Sequence, residues 1–501
     1  MAEALDRRRF LQAAAAVGVA GTAVVLHPLR FAAAQTGEEA TVITGRFEPG
    51  VPDWVYLPVE VPSGVRELAV RYSYDRPVPP PGVPGNALDI GIFDEDGYEL
   101  GNAAGFRGWS GGFRDSFAIS RSEATPGYLP GPVNRGTWHV ILGPYTVAPQ
   151  GMNWTVEVTL RFGPPGPAFD PDPAPHRADG RGLAWYRGDM HLHTVHSDGQ
   201  RTPEELVAGA RAAGLDFIVS TEHNTSSANL IWGRHAGPDL LIVNGEEVTT
   251  RNGHYVALGL PARGWIDCRY RAADDAVDRF LRQIHRGGGL AVAAHPFCPF
   301  IGCSWKFGYD GFDGVEVWNG PWTADDEVAL KDWDGMLVEH AGSGRWVPAV
   351  ANSDAHREPQ VIGLPHNVVL AADLDRRAVL RGVRSGRLWM AESAAVDLSI
   401  AATGGGRSAG IGERLRVDPG RQVAIRLEVG GAVGHVVRLY TDEGQVLETR
   451  LPDTGPGVVE WTTTPQVSAY VRAEVRRLQP TPTTPDTMVA LTNPIFLGRL
   501  R

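Results

Sequence analysis

The chain of 501 residues is longer than one ordinary domain, so roughly three domains are expected. Its 43% hydrophobic and 21% charged residues are typical of a globular protein, and its net charge of −11 argues against a nucleic-acid-binding surface. A small phosphorylated substrate stays compatible with this charge, because bound cations can supply local positive charge.

Residues 1–34 have the features of a removable export signal. Arg7-Arg8-Arg9-Phe10-Leu11 precedes an apolar run, and three alanines precede Gln35. The order Arg-Arg-x-Phe-Leu resembles a twin-arginine signal, whose export machinery would then be a partner of the precursor. The run is short for a membrane span, and no later segment offers a long uncharged apolar run. We therefore expect a periplasmic or extracellular protein, mature from about Gln35 and without a membrane span.

The segment from residue 40 to residue 163 alternates apolar and polar side chains in short runs, for example at 67–74 and 154–162. Clusters of Pro and Gly separate the runs, and this pattern predicts an all-β sandwich. The sandwich could be a packing module beside an enzyme, or it could dock carbohydrate or substrate. The proline-rich segment 164–182 predicts a linker at a domain boundary.

From residue 183 to residue 395 the pattern changes to alternating helices and strands. Thr202 and Glu205 form a capping box around Pro203, and they predict the start of a helix. A second helix is predicted at about 272–286. This alternation predicts an α/β fold with a parallel sheet, which is either open or closed into a barrel.

The C-terminal segment 396–501 is β-rich again and predicts a second all-β sandwich. His435 is the only His in this segment, so we expect no chemistry there.

The three Cys do not make a disulfide scaffold, and no Cys-x2-Cys spacing suggests a zinc site. Cys298 and Cys303 are close enough to form a disulfide in an oxidising compartment. They could equally be two small buried side chains.

Residue types that bind metals follow the strands of the central segment. Eleven of the 15 His lie between Asp189 and His366. His191 and His193 stand two residues apart, so both imidazoles face the same side of an extended strand. The other predicted strands end in or carry Glu222 and His223, Glu246 and Glu247, His295, Glu316 and Asn319, and Asp354 and His356. Because catalytic groups gather at the carboxyl ends of the strands in parallel α/β barrels, this repetition predicts one convergent metal cluster.

Six motifs, taken in chain order, resemble the PHP (polymerase and histidinol phosphatase) superfamily. They are His191-x-His193-x4-Asp198, Thr221-Glu-His223-Asn, Gly245-Glu-Glu247, Gly253-His254, Ala294-His295-Pro and Ser353-Asp354-Ala-His356. The segment 313–320 and the flanking β-domains resemble the exported CehA/McbA-type metallohydrolase branch of this superfamily. The resemblance is strong over about 183–395 and loose in the flanks. It implies a distorted seven-stranded (β/α) barrel that holds two or three divalent metals.

The resemblance also distributes nine ligands over three metals. The first metal would be held by His191, His193, Glu247 and Asp354. Glu247 would bridge to the second metal, held with His254 and His295, while the third would be held by Asp198, His223 and His356. The implied catalytic residues are Glu247, Asp354 and His295.

Some positions needed a choice or depart from the family pattern. Glu247 is preferred to Glu246 because the family has Gly-x-Glu, and because strand alternation lets only one of the pair face the site. Glu222 stands where the family usually has Asp, so its supporting role is open. Asp198 stands where some members have His, which could weaken the third site. Glu316 and Asn319 could orient ligands or substrate.

Imidazole and carboxylate ligands suit Zn, Mn or Fe. Two such metals about 3.5–4 Å apart activate a bridging water and clamp the oxygens of a substrate. This chemistry predicts a hydrolase of a small-molecule substrate, with phosphoesters as the first candidate class. A carbamate or aryl-ester hydrolase is the alternative, favoured by the resemblance to the CehA/McbA-type branch and by the tryptophans at 305, 318, 322 and 333, which could wall an apolar pocket or simply pack. A surface binding protein without catalysis is the third hypothesis, although the full set of nine ligands argues against it.

Overall fold

The computed structural model describes residues 29–33, 37–479 and 486–500. Most of the predicted export signal at 1–34 therefore lies outside the described residues. Its described part is strand β1 (Leu29–Ala33), which pairs antiparallel with β2 (Glu38–Phe47). None of the helices in the described ranges is long and apolar enough to cross a membrane.

The N-terminal part consists of two antiparallel sheets packed face to face. Its further strands are β3 (Val55–Val61), β4 (Val65–Tyr74), β5 (Ala87–Phe93), β6 (Phe106–Gly111), β7 (Ser116–Ser120), β8 (Gly136–Thr146) and β9 (Met152–Phe162). One sheet has the order β1-β2-β9-β4-β7 and the other the order β3-β8-β5-β6. Alternate residues of each strand meet in one core, in which Trp138 and Trp154 are buried. These strands occupy the range for which the sequence predicts a sandwich.

The central part is a mixed sheet with four α-helices. Its strands are β10 (Ala184–Asp189), β11 (Phe217–Ser220), β12 (Leu241–Thr250), β13 (Gly253–Leu258), β14 (Leu290–Ala294), β15 (Gly314–Asn319), β16 (Ala349–Asn352), β17 (His366–Ala371) and β18 (Leu388–Ala391). Its helices are α1 (Pro203–Ala212), α2 (Val277–Arg286), α3 (Ala324–His340) and α4 (Arg376–Arg384). The sheet order is β16-β15-β14-β13-β12-β11-β10-β17-β18.

Helix α1 begins where the capping signal predicts. Thr202 Oγ1 accepts a hydrogen bond from Glu205 N at 3.2 Å, and the Glu205 carboxylate accepts one from Thr202 N at 2.8 Å. The predicted helix at about 272–286 begins later, at Val277. Asp275 has a left-handed backbone with φ of 52°, which separates a short 3₁₀ turn at Ala272–Asp274 from the helix.

The central sheet curls until residues beyond β10 meet residues beyond β16. Asp354 N donates to His191 O at 3.0 Å, and Leu192 pairs with Ala355 in a parallel bridge. Nearby, Asn352 Oδ1 accepts a hydrogen bond from Met190 N at 2.9 Å. Backbone contacts and the side-chain amide of Asn352 thus connect the segment after β10 to the segment after β16.

The mixed α/β class is confirmed, whereas the distorted seven-stranded (β/α) barrel stays a prediction. Strand pairs β10–β11, β11–β12, β14–β15 and β15–β16 are parallel, but β13, β17 and β18 pair antiparallel with their neighbours. The connections from β11 to β12, β14 to β15 and β16 to β17 contain no α-helix. The sequence alternation therefore overstates the regularity of the βα repeat.

The C-terminal part continues the central sheet. Its strands are β19 (Asp397–Gly404), β20 (Arg407–Ala409), β21 (Arg414–Leu415), β22 (Val423–Gly430), β23 (Val436–Thr441), β24 (Gly444–Arg450), β25 (Gly457–Thr463), β26 (Tyr470–Arg477), β27 (Thr487–Thr492) and β28 (Ile495–Leu497). β27 pairs antiparallel with β18 and leads into β26, β23 and β24, while β20-β19-β22-β25 forms a second sheet. The predicted boundary at residue 395 therefore lies within a continuous hydrogen-bonded layer.

The predicted linker 164–182 is packed against the central part. Asp172 N donates to Leu230 O at 2.8 Å, and Gly233 N donates to Asp172 O at 2.7 Å. Ala178 is buried, and its N donates to the backbone of the segment before α4. The segment is thus an ordered connection, although its composition suggests a free linker.

Candidate metal centre

The first group of predicted ligands forms where β10 ends. His191 and His193 are fully buried. His191 Nε2 lies 3.2 Å from Glu247 Oε2, and His193 Nε2 lies 3.0 Å from Asp354 Oδ1. The same Asp354 oxygen lies 3.4 Å from His191 Nε2. Four ligand atoms from three separate chain segments therefore face one point.

These four atoms provide the test of whether a metal fits. Within the described part of the chain, Nε2 of both histidines, Oε2 of Glu247 and Oδ1 of Asp354 are buried without a hydrogen-bond partner. Burying a polar atom unpaired costs roughly 1–3 kcal/mol, and more for a charged one. Two imidazoles and two carboxylates around one point are a common ligand set for Zn, Mn or Fe. A divalent cation at this point would satisfy all four atoms.

The second group forms around the other oxygen of Glu247. Oε1 lies 2.9 Å from His254 Nδ1 and 3.1 Å from His295 Nε2. Sheet pairing brings these residues together, because His254 on β13 lies opposite Ala294, the residue before His295. One carboxylate therefore faces two ligand groups, which is the geometry that a ligand bridging two metals requires.

The position of Glu247 within its strand differs from expectation. The sequence places Glu246 and Glu247 at a strand end, but β12 continues to Thr250. After Asn244 the strand stops pairing with β11 and continues against β13. Glu247 points into the cluster, whereas Glu246 points to the opposite face and its Oε2 accepts a hydrogen bond from Ile266 N at 2.9 Å. Burial raises the pKa of Glu246 well above its ordinary value.

The third group is the most exposed. Ligand atoms of Asp198, His223, His356 and His193 all lie within 4.8 Å of one another. Asp198 Oδ1 is 3.2 Å from His356 Nε2 and 3.5 Å from His223 Nε2. The Asp198 side chain is 38% exposed and the His223 and His356 side chains 21%, while His191 and His193 are fully buried. The cluster is therefore open to solvent on this side.

Glu316 holds ligands of the first two groups in place. Its Oε1 accepts from His191 Nδ1 at 3.2 Å and from Asn352 Nδ2 at 2.7 Å. Its Oε2 accepts from His295 N and from Asn319 Nδ2, both at 2.9 Å. A carboxylate on Nδ1 of a histidine leaves Nε2 free for a metal and raises its basicity. Glu316 and Asn319 are thus placed to orient ligands, one of the two roles considered from the sequence.

Glu222 supports a loop and does not face the metal groups. Its carboxylate accepts hydrogen bonds from Thr194 Oγ1 and Ser197 Oγ, both at 2.5 Å. Ser197 Oγ in turn lies 3.3 Å from His193 Nδ1. This chain of contacts fixes the loop from His193 to Asp198, which carries ligands of two groups.

The sequence did not single out Ser197, Asn352 or Thr249 as part of the centre. Thr249 Oγ1 lies 2.6 Å from His223 Nδ1. Thr249 lies two residues after Glu247 on the same strand, and residues two apart on a strand face the same side. This spacing could have predicted that Thr249 faces the cluster. Asn352 and Ser197 had no comparable signal, since Asn352 donates to Glu316, 36 positions away, and Ser197 donates to Glu222, 25 positions away.

Electrostatics keep the carboxylates of the cluster ionised. Burial raises the pKa of Glu247, but the charges of His223 and His191 outweigh this and hold it well below its ordinary value. Burial likewise opposes ionisation of Asp354, and nearby histidines hold its pKa well below its ordinary value. Burial together with the charges of His356 and His223 lowers the pKa of His193 to about 3, so its imidazole is neutral. The carboxylate oxygens of Glu247 and Asp354 are therefore anionic, and the neutral imidazole of His193 can bind a cation without first releasing a proton.

Backbone strain also concentrates at the centre. His295 and Asp354 have left-handed φ angles of 27° and 49°, and Asn224, next to His223, has 53°. Such conformations cost roughly 1–3 kcal/mol each in residues other than Gly. Two predicted ligands are thus held in conformations that only the surrounding structure can impose.

The tryptophans that follow His295 are buried in hydrophobic cores. Trp318, Trp322 and Trp333 are buried in the core of the central sheet, and Trp305 is buried in a second core beneath β13 and β14. Their indole N–H groups bond within the protein, as in the 2.8 Å contact from Trp333 Nε1 to Val347 O. One of the two features that favoured a carbamate or aryl-ester substrate is therefore explained by packing, while the branch resemblance is unaffected.

Cys298 and Cys303 form a disulfide in the loop after His295. Cys303 Sγ lies 3.4 Å from His295 Nδ1. Because this sulfur is bonded to Cys298, it is not available as a thiolate ligand. The disulfide instead closes the loop against a predicted ligand of the second group.

Comparisons with known proteins give partial similarities. No protein-family model matches the chain. An uncharacterised protein of Methanocaldococcus jannaschii is 25% identical over 151 residues, covering 26% of this chain and 81% of that protein.

Two solved structures are similar to parts of the chain. A two-domain protein from Bacteroides vulgatus, containing a predicted PHP-like metal-dependent phosphoesterase, is 16% identical, covers 66% of this chain and 100% of its own, and has a TM-score of 0.37. An amidohydrolase from Chromobacterium violaceum is 20% identical, covers 35% of this chain and 89% of its own, and has a TM-score of 0.25. At these scores the similarity carries no conclusion about activity, which has to rest on the residues of the centre.

Proposed function

We propose that the protein is an exported metal-dependent hydrolase that cleaves a phosphoester bond in a small molecule. It would belong to the PHP superfamily and to its CehA/McbA-like branch. The observation that carries the proposal is the position of Glu247, whose Oε2 lies 3.2 Å from His191 and whose Oε1 lies 3.1 Å from His295. A carboxylate between two groups of ligand atoms suits a two-metal site.

The three ligand groups implied by the resemblance differ in burial. His191, His193, Glu247 and Asp354 would hold a metal at the closed end of the cluster. His254 and His295 would complete the second site, and Asp198, His223 and His356 would form the third at the open side. Divalent metals in such a site lower the pKa of bound water and stabilise negative charge on the substrate.

Phosphoesters fit this arrangement better than carboxyl esters. A phosphoryl group carries several charged oxygens, and the three ligand groups adjoin one another around Glu247 and His193. Its negative charge would be matched by cations placed side by side, which is how hydrolases of phosphoesters stabilise their transition state. A carbamate or aryl ester presents one carbonyl to be polarised and an apolar leaving group, and the tryptophans that could have lined a pocket for that group are packed in hydrophobic cores.

A substrate panel tests the reaction class. The purified protein, loaded in turn with Zn, Mn and Fe, is assayed against p-nitrophenyl phosphate, bis-p-nitrophenyl phosphate, p-nitrophenyl acetate and a naphthyl carbamate. We expect turnover of a phosphate ester and its loss in Asp354→Ala. If only the acetate or the carbamate is turned over, the protein is the alternative hydrolase and not a phosphoesterase. If the purified protein binds fewer than about one metal per chain, the metal centre is refuted.

Export is supported by the paired arginines before the apolar run and by the Cys298–Cys303 disulfide, which suits an oxidising compartment. The test is cell fractionation of the full-length chain and of Arg7→Lys/Arg8→Lys. If the protein is exported by the twin-arginine route, the wild-type chain is found outside the cytoplasm and the double variant stays inside it. Equal distribution of the two would contradict this route.

A further inference from the structure

The N-terminal sandwich touches the loops that carry the predicted ligands. Arg114 donates from its guanidinium to Val195 O, between His193 and Asp198. Gly127 N donates to Ser227 Oγ at 3.0 Å, and Thr225 Oγ1, two residues after His223, donates to Gly127 O at 2.8 Å. Each contact lies within four residues of a predicted ligand, so the sandwich lies against the centre itself.

Arg251 makes a further contact between the central part and the sandwich. This residue lies in the turn between β12, which carries Glu247, and β13, which carries His254. Its guanidinium carbon lies 4.2 Å from the ring centre of Tyr145 and 4.9 Å from that of Trp54, both in the sandwich. Its side chain is only 8% exposed.

The guanidinium of Arg251 is poorly satisfied by hydrogen bonds. Among the described residues, its Nε, Nη1 and Nη2 are buried and have no hydrogen-bond partner. The nearest carboxylate is that of Asp89, also in the sandwich, at 4.0 Å from Nη2. Burial raises the pKa of Asp89 to about 6, against the opposing charges of Arg251 and His223. The guanidinium is therefore stabilised by aromatic faces and by one carboxylate, all of which belong to the sandwich.

This arrangement links the sandwich to the bridging ligand. The turn at Arg251 is short, because Thr250 pairs with Gly253 and Thr249 pairs with His254. Thr249 Oγ1 contacts His223 Nδ1, so a shift of the turn would displace residues of two ligand groups. The buried guanidinium of Arg251 also opposes such a shift. If the turn moved, the guanidinium would lose its favourable contacts with the two aromatic rings and Asp89.

We propose that Arg251 is a positioning residue, through which Trp54, Asp89 and Tyr145 of the N-terminal sandwich hold Glu247 and His254 in place for the second metal. This inference rests on the proposed metal-dependent function. It makes the sandwich a structural part of the metal centre, where the sequence favoured a packing module that stands beside an enzyme.

The test measures metal binding, not turnover. Full-length wild type, Arg251→Met and Arg251→Lys are purified, their metal content is measured by elemental analysis, and the weakest-bound metal is titrated against a chromophoric chelator. We expect Arg251→Met to bind the second metal roughly 10–100-fold more weakly, because residues that support ligands have effects of this size. Arg251→Lys should recover part of the affinity, since it keeps the charge beside the two rings and Asp89.

Arg269 is the matched control, because it also joins the central part to the sandwich. Its Nη1 donates to Tyr56 Oη at 2.7 Å and to Tyr98 O at 2.8 Å, but its segment carries no predicted ligand. Arg269→Met should lower the unfolding temperature and leave the metal affinity unchanged. An equal loss of affinity in both methionine variants would assign the effect to general loosening of the interface and overturn the proposal.

Two further outcomes are decisive. A folded Arg251→Met that binds two metals as tightly as wild type overturns the positioning role and leaves the proposed function intact. A wild-type protein that binds less than one metal per chain overturns the proposed function itself. If Arg251→Met does not fold, Trp54→Leu removes one aromatic face from the sandwich side and should weaken the second metal in the same way.

Discussion

Glu247 Oε1 lies 2.9 Å from His254 Nδ1, across the paired strands β12 and β13. The two residues are seven positions apart, yet the antiparallel pairing sets both side chains on the face that carries the other predicted ligands. The neighbouring Glu246 points away, into a buried site at Ile266. The two adjacent glutamates therefore differ in environment while they share one strand.

This difference predicts opposite results for two matched variants. Glu247→Gln removes the charge between two ligand groups and should weaken metal binding and activity by at least about a hundredfold. Glu246→Gln should change neither, because burial raises the pKa of Glu246 and the amide oxygen can still accept from Ile266 N. Elemental analysis and the phosphate-ester assay measure both effects. Similar losses in the two variants would show that the strand orientation is wrong.

Glu316→Gln tests the support of the ligands without removing one. Gln can accept from Asn352 or from His295 N, but it lacks the negative charge that raises the basicity of His191. We expect a loss of metal affinity of about 10–100-fold, with little change in far-UV circular dichroism. Glu339→Gln, on the exposed side of α3, is the control and should behave as wild type. If Glu316→Gln binds metal with unchanged affinity, Glu316 does not support the ligands.

Metal binding should release protons and strengthen as the pH rises. In the metal-free centre, burial opposes protonation, but Glu247 and Asp198 raise the pKa of His223 to about 10, and Asp354 and Asp198 raise that of His356 to about 9. Both imidazoles thus carry a proton at pH 7 that a metal has to displace. Affinity at the third site should therefore increase between pH 6 and pH 9. Calorimetric titration in buffers of different ionisation enthalpy measures the protons released, and identical heats in all buffers would contradict the prediction.

The disulfide should stabilise both the fold and the second site. Closing a loop of this length stabilises a protein by about 2 kcal/mol in the chain-entropy model. Cys298→Ser/Cys303→Ser should therefore lower the free energy of unfolding by about that amount and weaken the metal next to His295. Cys268→Ala, which alters a buried thiol that forms no disulfide, is the control for metal binding. If the double variant binds metal with wild-type affinity, the disulfide loop does not support the metal site next to His295.

The candidate ligands could be found from sequence for a simple reason. His191 and His193 share a face because the side chains of a strand alternate with a period of two residues, and the same rule separates Glu247 from Glu246. The capping box at Thr202 is likewise a local feature, formed by residues three positions apart. Strand alternation therefore indicated that His191 and His193 face together, and the resemblance to the PHP superfamily supplied the full set of nine residues, which lie together in the structure.

Other features depend on contacts between segments that are distant in the chain. Sequence alternation could not show that β12 continues past its parallel partner into an antiparallel pair, because strand pairing is a property of two segments. It also could not place Trp333 in a core or join Cys298 to Cys303. Packing and pairing are decided by which surfaces meet, and a periodic pattern records only which side of an element is apolar.

The sequence by itself determined the residue types of the metal centre and their order along the chain. Only the tertiary structure decided that Glu316 supports two of the ligand groups and that Arg251 lies against the rings of Trp54 and Tyr145 in the N-terminal sandwich. The physical reason is that side-chain alternation along a strand relates residues only a few positions apart. The contact between Arg251 and Trp54 joins side chains almost 200 positions apart, and only the fold brings them together.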